Sequence, residues 1–438
     1  MPVQVTFISY EYIPRPSGAG LLAAVIFLSI IFTACTNKQD RPKIIASDTE
    51  TIIVNIVKPD PMSMVREEAM QIALSMDDSI LAAQCLMAGF DNKAYLTDLM
   101  KVLLMNIPAG GIILFKYNLA DSREEIRSFL AELSDYIAAY AGVKPFLAVD
   151  HEGGMVNRFA PPIAQLPAPA FFWEMAQING EGQALKAVED LAALAGGELK
   201  YIGINMNLAP VAEVLNAENQ AFLETRSYGP NPGFTQEAAS AFIRGMESAG
   251  IVCAVKHFPG SGADDPHLNV STFAGNRQAL EILIQPFRHI FNRVHVPAVM
   301  VSHVMVPAMD AVNNASLSPV IVSSWLRHEL GFSGIILADD FSMDAVAGRN
   351  ISAEEAVVDA LNAGVDMVMC WPSNMVSIHN AILAALREER LPRQRLLEAA
   401  ANIIAEKLRA EKRRAEFLRM EQLRMEQLYN EGQELFHE

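Results

Sequence analysis

The chain has 438 residues, 51% of them hydrophobic and 19% charged, with a formal net charge of -17 at pH 7. So large an apolar fraction excludes a disordered chain and is ample for an extensive buried core. The acidic balance excludes nucleic acid as a natural partner, because a phosphate backbone would be repelled over most of the surface, and it leaves neutral sugars open.

At the N-terminus, Ala19 through Ala34 form one apolar run that stops at Cys35. The run is short for a membrane-spanning helix and ends in small residues, as processing sites do. Phe32-Thr33-Ala34-Cys35 resembles a bacterial lipobox. That resemblance implies lipidation at Cys35, a signal segment over residues 1–35, and an extracytoplasmic lipoprotein that meets the membrane only through its anchor. A plain cleaved signal and a retained anchor helix are the other readings. Residues 36–70, with TIIVNIVKPDP in their middle, read as a tether or an extra strand.

From 71 to 395 the pattern repeats. Short apolar runs alternate with longer stretches of helical spacing. The runs are AAQCLMAGF (82–90), AGGIILF (109–115), PFLAVD (145–150), GINMNLAP (203–210), IVCAVKHF (251–258), PAVMVSH (297–303), GIILADD (334–340) and DMVMC (366–370). Helices are expected between them, as over 122–140, 234–248 and 352–364. Continuous apolar strands are buried on both faces, which implies parallel pairing with helices outside. Eight such units predict an α/β fold, a (β/α)8 TIM barrel forming one catalytic domain over 71–395. An open doubly wound sheet is the alternative, and no GxGxxG element supports a nucleotide-binding form of it.

Beyond Pro392, LLEAAANIIAEKL predicts a helix packed on the barrel, and the charged stretch with LRMEQ twice in succession predicts a projecting helix. Residues 396–438 thus read as a C-terminal helical extension. Cys85, Cys253 and Cys370 sit inside apolar runs and read as small buried hydrophobes, with a disulfide between two of them as the other reading. No Cys, His or Asp grouping has metal-ligand spacing, so neither a metal nor another cofactor is expected.

Chemistry collects where the strands end. The third run ends in Asp150, the fifth in Lys256-His257, the sixth in Ser302-His303 and the seventh in Asp339-Asp340. In a barrel these termini share one rim, and a charge at the end of a buried strand is costly unless paired or used. No GxSxG element supports acyl transfer. Carboxylates with an imidazole suit glycoside hydrolysis, which needs a nucleophile or base, a proton donor and hydroxyl-binding groups.

DHEGGMVNRF (150–159), NMNLAPVAEV (205–214), RSYG (226–229), KHFPGSG (256–262), Asp-Pro-His at 265–267, VMVSHVMVP (299–307) and ILADDFSMDAV (336–346) together resemble glycoside hydrolase family 3. The resemblance is to its single-domain bacterial β-N-acetylhexosaminidase branch and runs from about 75 to 390. It implies a retaining exo-β-N-acetylglucosaminidase, monomeric and without cofactor, acting on an N-acetylglucosamine-containing oligosaccharide of the peptidoglycan or chitin type. Asp339 would be the nucleophile, with Asp340 a hydrogen-bonding partner that caps the following turn. His267 would be the acid/base, oriented by Asp265. Asp150, Arg158, Arg226, Lys256 and His257 would bind sugar hydroxyls. His303 and Met305 would line the pocket beside the acetamido group. Glu152 reads as structural, holding backbone amides or Arg158, and His151 has no assigned role.

Two departures stand out from the branch pattern. Ser261 stands where a histidine is usual and the loop before Asp265 is shorter, while Glu213 replaces an aspartate. A β-glucosidase or glycosyl phosphorylase of the same family is the nearest alternative, and a non-catalytic surface glycan-binding lipoprotein is the alternative of another class. The Asp265–His267 element argues against the first. The presence of Asp339 beside that element argues against the second.

Overall fold

Each of the eight apolar runs supplies one strand: β1 (Leu86–Gly89), β2 (Gly111–Leu114), β3 (Phe146–Val149), β4 (Met206–Asn207), β5 (Val252–Phe258), β6 (Ala298–Val301), β7 (Ile335–Asp340) and β8 (Met367–Cys370). The architecture is a computed structural model that describes residues 61–91, 93–159, 161–262, 270–341 and 351–435. Every strand pairs in parallel with its sequence neighbours, and β1 meets β8 with Leu86 opposite Val368 to close the barrel. Val, Ile, Leu, Met and Ala at successive positions fill both faces of the strands, one toward the barrel interior and one toward the helices.

β4 is only two residues long, and side chains extend its work. Asn205 Oδ1 accepts from the Leu147 amide at 2.7 Å, and its Nδ2 donates to the Pro145 carbonyl at 3.1 Å. Asn207 does the same two residues on, with the amide and carbonyl of His151, both at 3.0 Å. These primary amides mimic a peptide group, so the ladder to β3 is carried past the short strand.

The outer layer follows from periodicity and caps. After α1 (Pro61–Ser75) come α2 (Asp98–Asn106), α3 (Arg123–Ala141), α4 (Glu181–Ile202), α5 (Pro232–Ser248), α6 (Gln285–Arg293), α7 (Val320–Glu329, wound as a π-helix), α8 (Ala353–Ala363), α9 (Met375–Arg387) and α10 (Arg393–Leu435). Ser122 caps α3 through the Glu125 amide, and Gly142 ends it at φ 74°. Ser352 and Glu355 form a reciprocal capping box on α8.

One segment differs from the sequence expectation. Residues 61–70, assigned to a tether, lie in α1, which packs along α10. Val65, Ala69 and Ala73 are buried, an i, i+4 spacing that makes one apolar helix face. At the other end, α10 is continuous across 396, and Leu396, Ala399, Ala400, Ile403 and Ile404 are buried. Asp366, at the N-terminal end of β8, accepts from Arg395 (2.6 Å) and Asn402 (3.1 Å), and Lys407 donates to Gln84 just ahead of β1 (2.8 Å). The first half of α10 therefore covers the floor of the barrel. Cys85, Cys253 and Cys370 are buried free thiols.

Candidate active site

Two strands deliver their polar groups through an extra residue. Val255 pairs with Val299 and Phe258 with Val301, so β5 takes three steps where β6 takes two, and the surplus falls at Lys256–His257. Ala338 pairs with Val368 and Asp340 with Met369, which makes Asp339 the surplus residue of β7. A bulge interrupts the in–out alternation and re-aims the side chain there. Consecutive residues on one strand can then both serve the rim.

Lys256 Nζ lies 2.6 Å from Asp150 Oδ1 and 2.6 Å from Glu152 Oε1. Arg226 holds Glu152 in a bidentate pair, both bonds at 2.8 Å. Burial would raise the Glu152 carboxyl, but the charges of Lys256 and Arg226 prevail and bring it down to about 2. Burial likewise opposes the Lys256 ammonium, and Asp150 and Glu152 hold its pKa above the usual lysine value. Glu152 is thus the hub of the cation pair. This corrects the expectation that it holds backbone amides or Arg158. Arg158 is exposed on the ribbon Val156–Asn157 and its flank, where its amide donates to the Asp150 carbonyl at 3.2 Å.

His257 Nδ1 donates to Glu213 Oε1 at 2.6 Å, and Ser261 Oγ donates to the same oxygen at 3.1 Å. With Nδ1 committed, Nε2 is the ring nitrogen left for a ligand. The sequence marks Glu213 as a departure from the branch pattern, standing where an aspartate is usual. It is the buried carboxylate that orients His257, and Ser261 supports it. Position alone pointed to it, since it is the charged residue that follows the fourth apolar run, three positions after Pro210.

Asp339 is half-buried, and its carboxylate accepts from the Asp340 amide at 2.9 Å. Burial would raise its pKa. The charges of His257 and His303, the Asp340 amide and Lys256 outweigh that and hold the carboxyl below its usual value. His303 is buried, which lowers its pKa despite Asp339 and the Asp340 carbonyl. Its Nε2 donates to that carbonyl at 3.0 Å, and its Nδ1 is hydrogen-bonded to Ser316 Oγ at 2.7 Å. Asp340 Oδ2 accepts from Trp371 Nε1 at 2.8 Å. Met305 is half-buried on the two-residue strand Met305–Val306 beyond β6. His151 is enclosed, with Nε2 bonded to the Ala164 carbonyl at 3.1 Å, and burial brings its pKa down to about 4. Cys35, Asp265 and His267 lie outside the described residues.

The rim thus holds the depressed Asp339 carboxylate among imidazoles and an ammonium, beside a network of fixed donors. Such a site can stabilise positive charge at a carbon held over Asp339 and grip hydroxyls at its edge.

Comparison with known proteins agrees with this chemistry. A beta-hexosaminidase of Idiomarina loihiensis is 32% identical over 318 residues, covering 70% of this chain and 91% of that protein. A beta-hexosaminidase of Neisseria meningitidis is 32% identical over 277 residues, covering 63% and 74%. Among solved structures, a glycoside hydrolase family 3 beta-N-acetylglucosaminidase from Paenibacillus sp. superposes with a TM-score of 0.72 at 29% identity, covering 77% of this chain and 63% of that one. The M tuberculosis protein LpqI gives 0.67 at 27%, covering 77% and 96%. Residues 79–405 match the model of the glycosyl hydrolase family 3 N terminal domain, and with that match over most of its length the chain belongs to glycoside hydrolase family 3.

Proposed function

We propose that this family 3 glycoside hydrolase of the β-N-acetylhexosaminidase type is a retaining exo-β-N-acetylglucosaminidase. The observation that carries the reading is Asp339, set in the β7 bulge, with its carboxyl depressed by His257, His303 and Lys256. A carboxylate that stays ionised while half-buried is suited to attack. Its oxygen bonds to the anomeric carbon as the glycosidic C–O bond breaks. The leaving oxygen takes a proton from His267, whose role and orientation by Asp265 rest on the family resemblance. Water then returns a proton to His267 and its oxygen displaces Asp339, so the anomeric configuration is retained. Asp150, Lys256, His257 and Arg226 grip the hydroxyls of the terminal sugar, with Arg158, His303 and Met305 assigned beside them.

The substrate class is an N-acetylglucosamine-terminated glycan of the peptidoglycan or chitin type. Acylation at Cys35 would hold the barrel at the outer side of the bacterial membrane. Among the described residues no helix is long and apolar enough to cross a membrane. Metabolic labelling with a fatty acid tests the anchor, and a Cys35→Ala protein that still carries the label would overturn it.

The deciding experiment compares aryl β-N-acetylglucosaminide with aryl β-glucoside, using the wild type and the Asp339→Asn and His267→Ala variants. Preference for the N-acetyl substrate, abolished in Asp339→Asn and strongly reduced in His267→Ala, is the expected result. Equal or better glucoside cleavage would refute the specificity. Full activity in Asp339→Asn would refute the nucleophile.

A further inference from the structure

Three aromatic rings lead away from the reaction centre along the part of the rim built by β8, β1 and β2. Trp371 follows β8 directly, is half-buried, and is tied to Asp340 by its indole N–H at 2.8 Å. Phe115, which follows β2, lies 5.5 Å from Trp371 between ring centroids at 30°. Tyr117 lies 5.7 Å beyond Phe115, parallel to within 4°, and is 51% exposed.

The row is held by more than chance packing. Asn118 Oδ1 accepts from the Phe115 amide at 2.8 Å while its Nδ2 donates to the Phe90 carbonyl at 2.7 Å, pinning the turn that carries Phe115 and Tyr117. Gly89, at the end of β1, has no side chain to obstruct the indole; a Cβ there would stand 2.3 Å from Trp371 Cε3. Asn374 Oδ1 accepts from the Trp371 amide at 2.8 Å. The rings are fixed on strand ends and short turns.

We propose that Trp371, Phe115 and Tyr117 form an aglycone-side subsite that stacks the second and third pyranose rings of the substrate. The proposal rests on the glycosidase reading of the site. An exo-acting pocket holds the terminal sugar with its hydroxyls on the ionic network of β3 and β5 and its anomeric carbon over Asp339. The rest of the glycan has to leave away from that network, and β8, whose end carries Trp371 bonded to Asp340, lies across the barrel from β4, the strand between β3 and β5. The C–H groups on a pyranose face carry partial positive charge, and an aromatic face is the negative side of its quadrupole. A ring set beside the reacting centre without a charge also suits a neutral sugar. Chain-length preference is then written in the outermost ring, Tyr117, which only a third sugar can reach.

The test measures kcat/KM for chitobiose and chitotriose in the wild type and in Tyr117→Ala and Tyr117→Phe. The ratio of chitotriose to chitobiose is expected to fall about fivefold in Tyr117→Ala, through KM, and to return in Tyr117→Phe, which keeps the ring. An unchanged ratio in Tyr117→Ala overturns the subsite while leaving the glycosidase reading intact. Chitotriose binding to the Asp339→Asn protein, followed by calorimetry, judges the subsite without turnover. Weaker binding after adding Tyr117→Ala supports it, and equal affinity overturns it even where no N-acetylglucosaminide is cleaved.

Discussion

The two ends of the barrel both bury charge, and they do it differently. At the floor, Asp366 is fully enclosed and accepts from Arg327 (2.6 Å), Arg395 (2.6 Å), the Ile336 amide (2.9 Å) and Asn402 (3.1 Å). Its oxygens are saturated by protein donors. At the rim, Asp339 is half-buried, with the Asp340 amide as its described donor, and Glu213 Oε2 has no partner among the described residues. A saturated ion joins α10 and α7 to the sheet and can do nothing else. An ion arranged by fields but left with free valence can bind and react.

Breaking the nucleophile should have the largest effect. Asp339→Asn is expected to lower kcat/KM by about a thousandfold or more, with the melting temperature nearly unchanged. Thermal melts and aryl-glycoside kinetics on one preparation check both halves. Asp366→Asn should do the reverse, costing about 3–5 kcal/mol of stability because two guanidinium groups lose a buried partner. Urea unfolding reads that loss, and KM measured well below the transition should stay at the wild-type value. If Asp366→Asn spared stability and changed KM, the contrast between floor and rim would be wrong.

Glu213→Gln tests the step between these extremes. It keeps the shape and removes the carboxylate that fixes His257, so kcat/KM should fall about tenfold, equivalent to about 1.4 kcal/mol.

Glu152 provides the smallest and most specific test. Its folded pKa is about 2 against an ordinary glutamate value of 4.5. A carboxyl depressed in the folded state contributes stability that is present above 4.5 and is lost as pH falls toward 2. Glu152→Gln should therefore flatten the stability profile between those values by up to one proton. An unchanged slope in acid unfolding would show that the acid sensitivity lies elsewhere.

Much of this contrast was readable before any coordinates. Eight apolar runs became eight strands because burial on both faces removes the polar alternation that blurs most sheets. The residues ending those runs gathered at the rim for the same reason. What could not be read was pairing at a distance. Local spacing offers Glu152 only backbone amides or Arg158, six residues away, and its partners are Arg226 and Lys256 on other elements. Nothing local announces a bulge either, so the shared placement of Lys256 and His257 emerged only with the register. The part of α1 was not legible because the spacing of 65, 69 and 73 is short and this helix acquires its apolar purpose only against α10.

The contact between Gly89 and Trp371 joins the first strand to the last. Loop-closure entropy makes such a contact among the slowest to form, since nearly the whole barrel has to be synthesised and ordered before it exists. The indole–carboxylate bond to Asp340, by contrast, needs only the neighbouring strands β7 and β8 to pair. With Trp173 and Trp325 replaced by Phe, Trp371 becomes a built-in clock for refolding: its fluorescence should mature with the slowest phase, after the β-content is in place and together with the first appearance of activity.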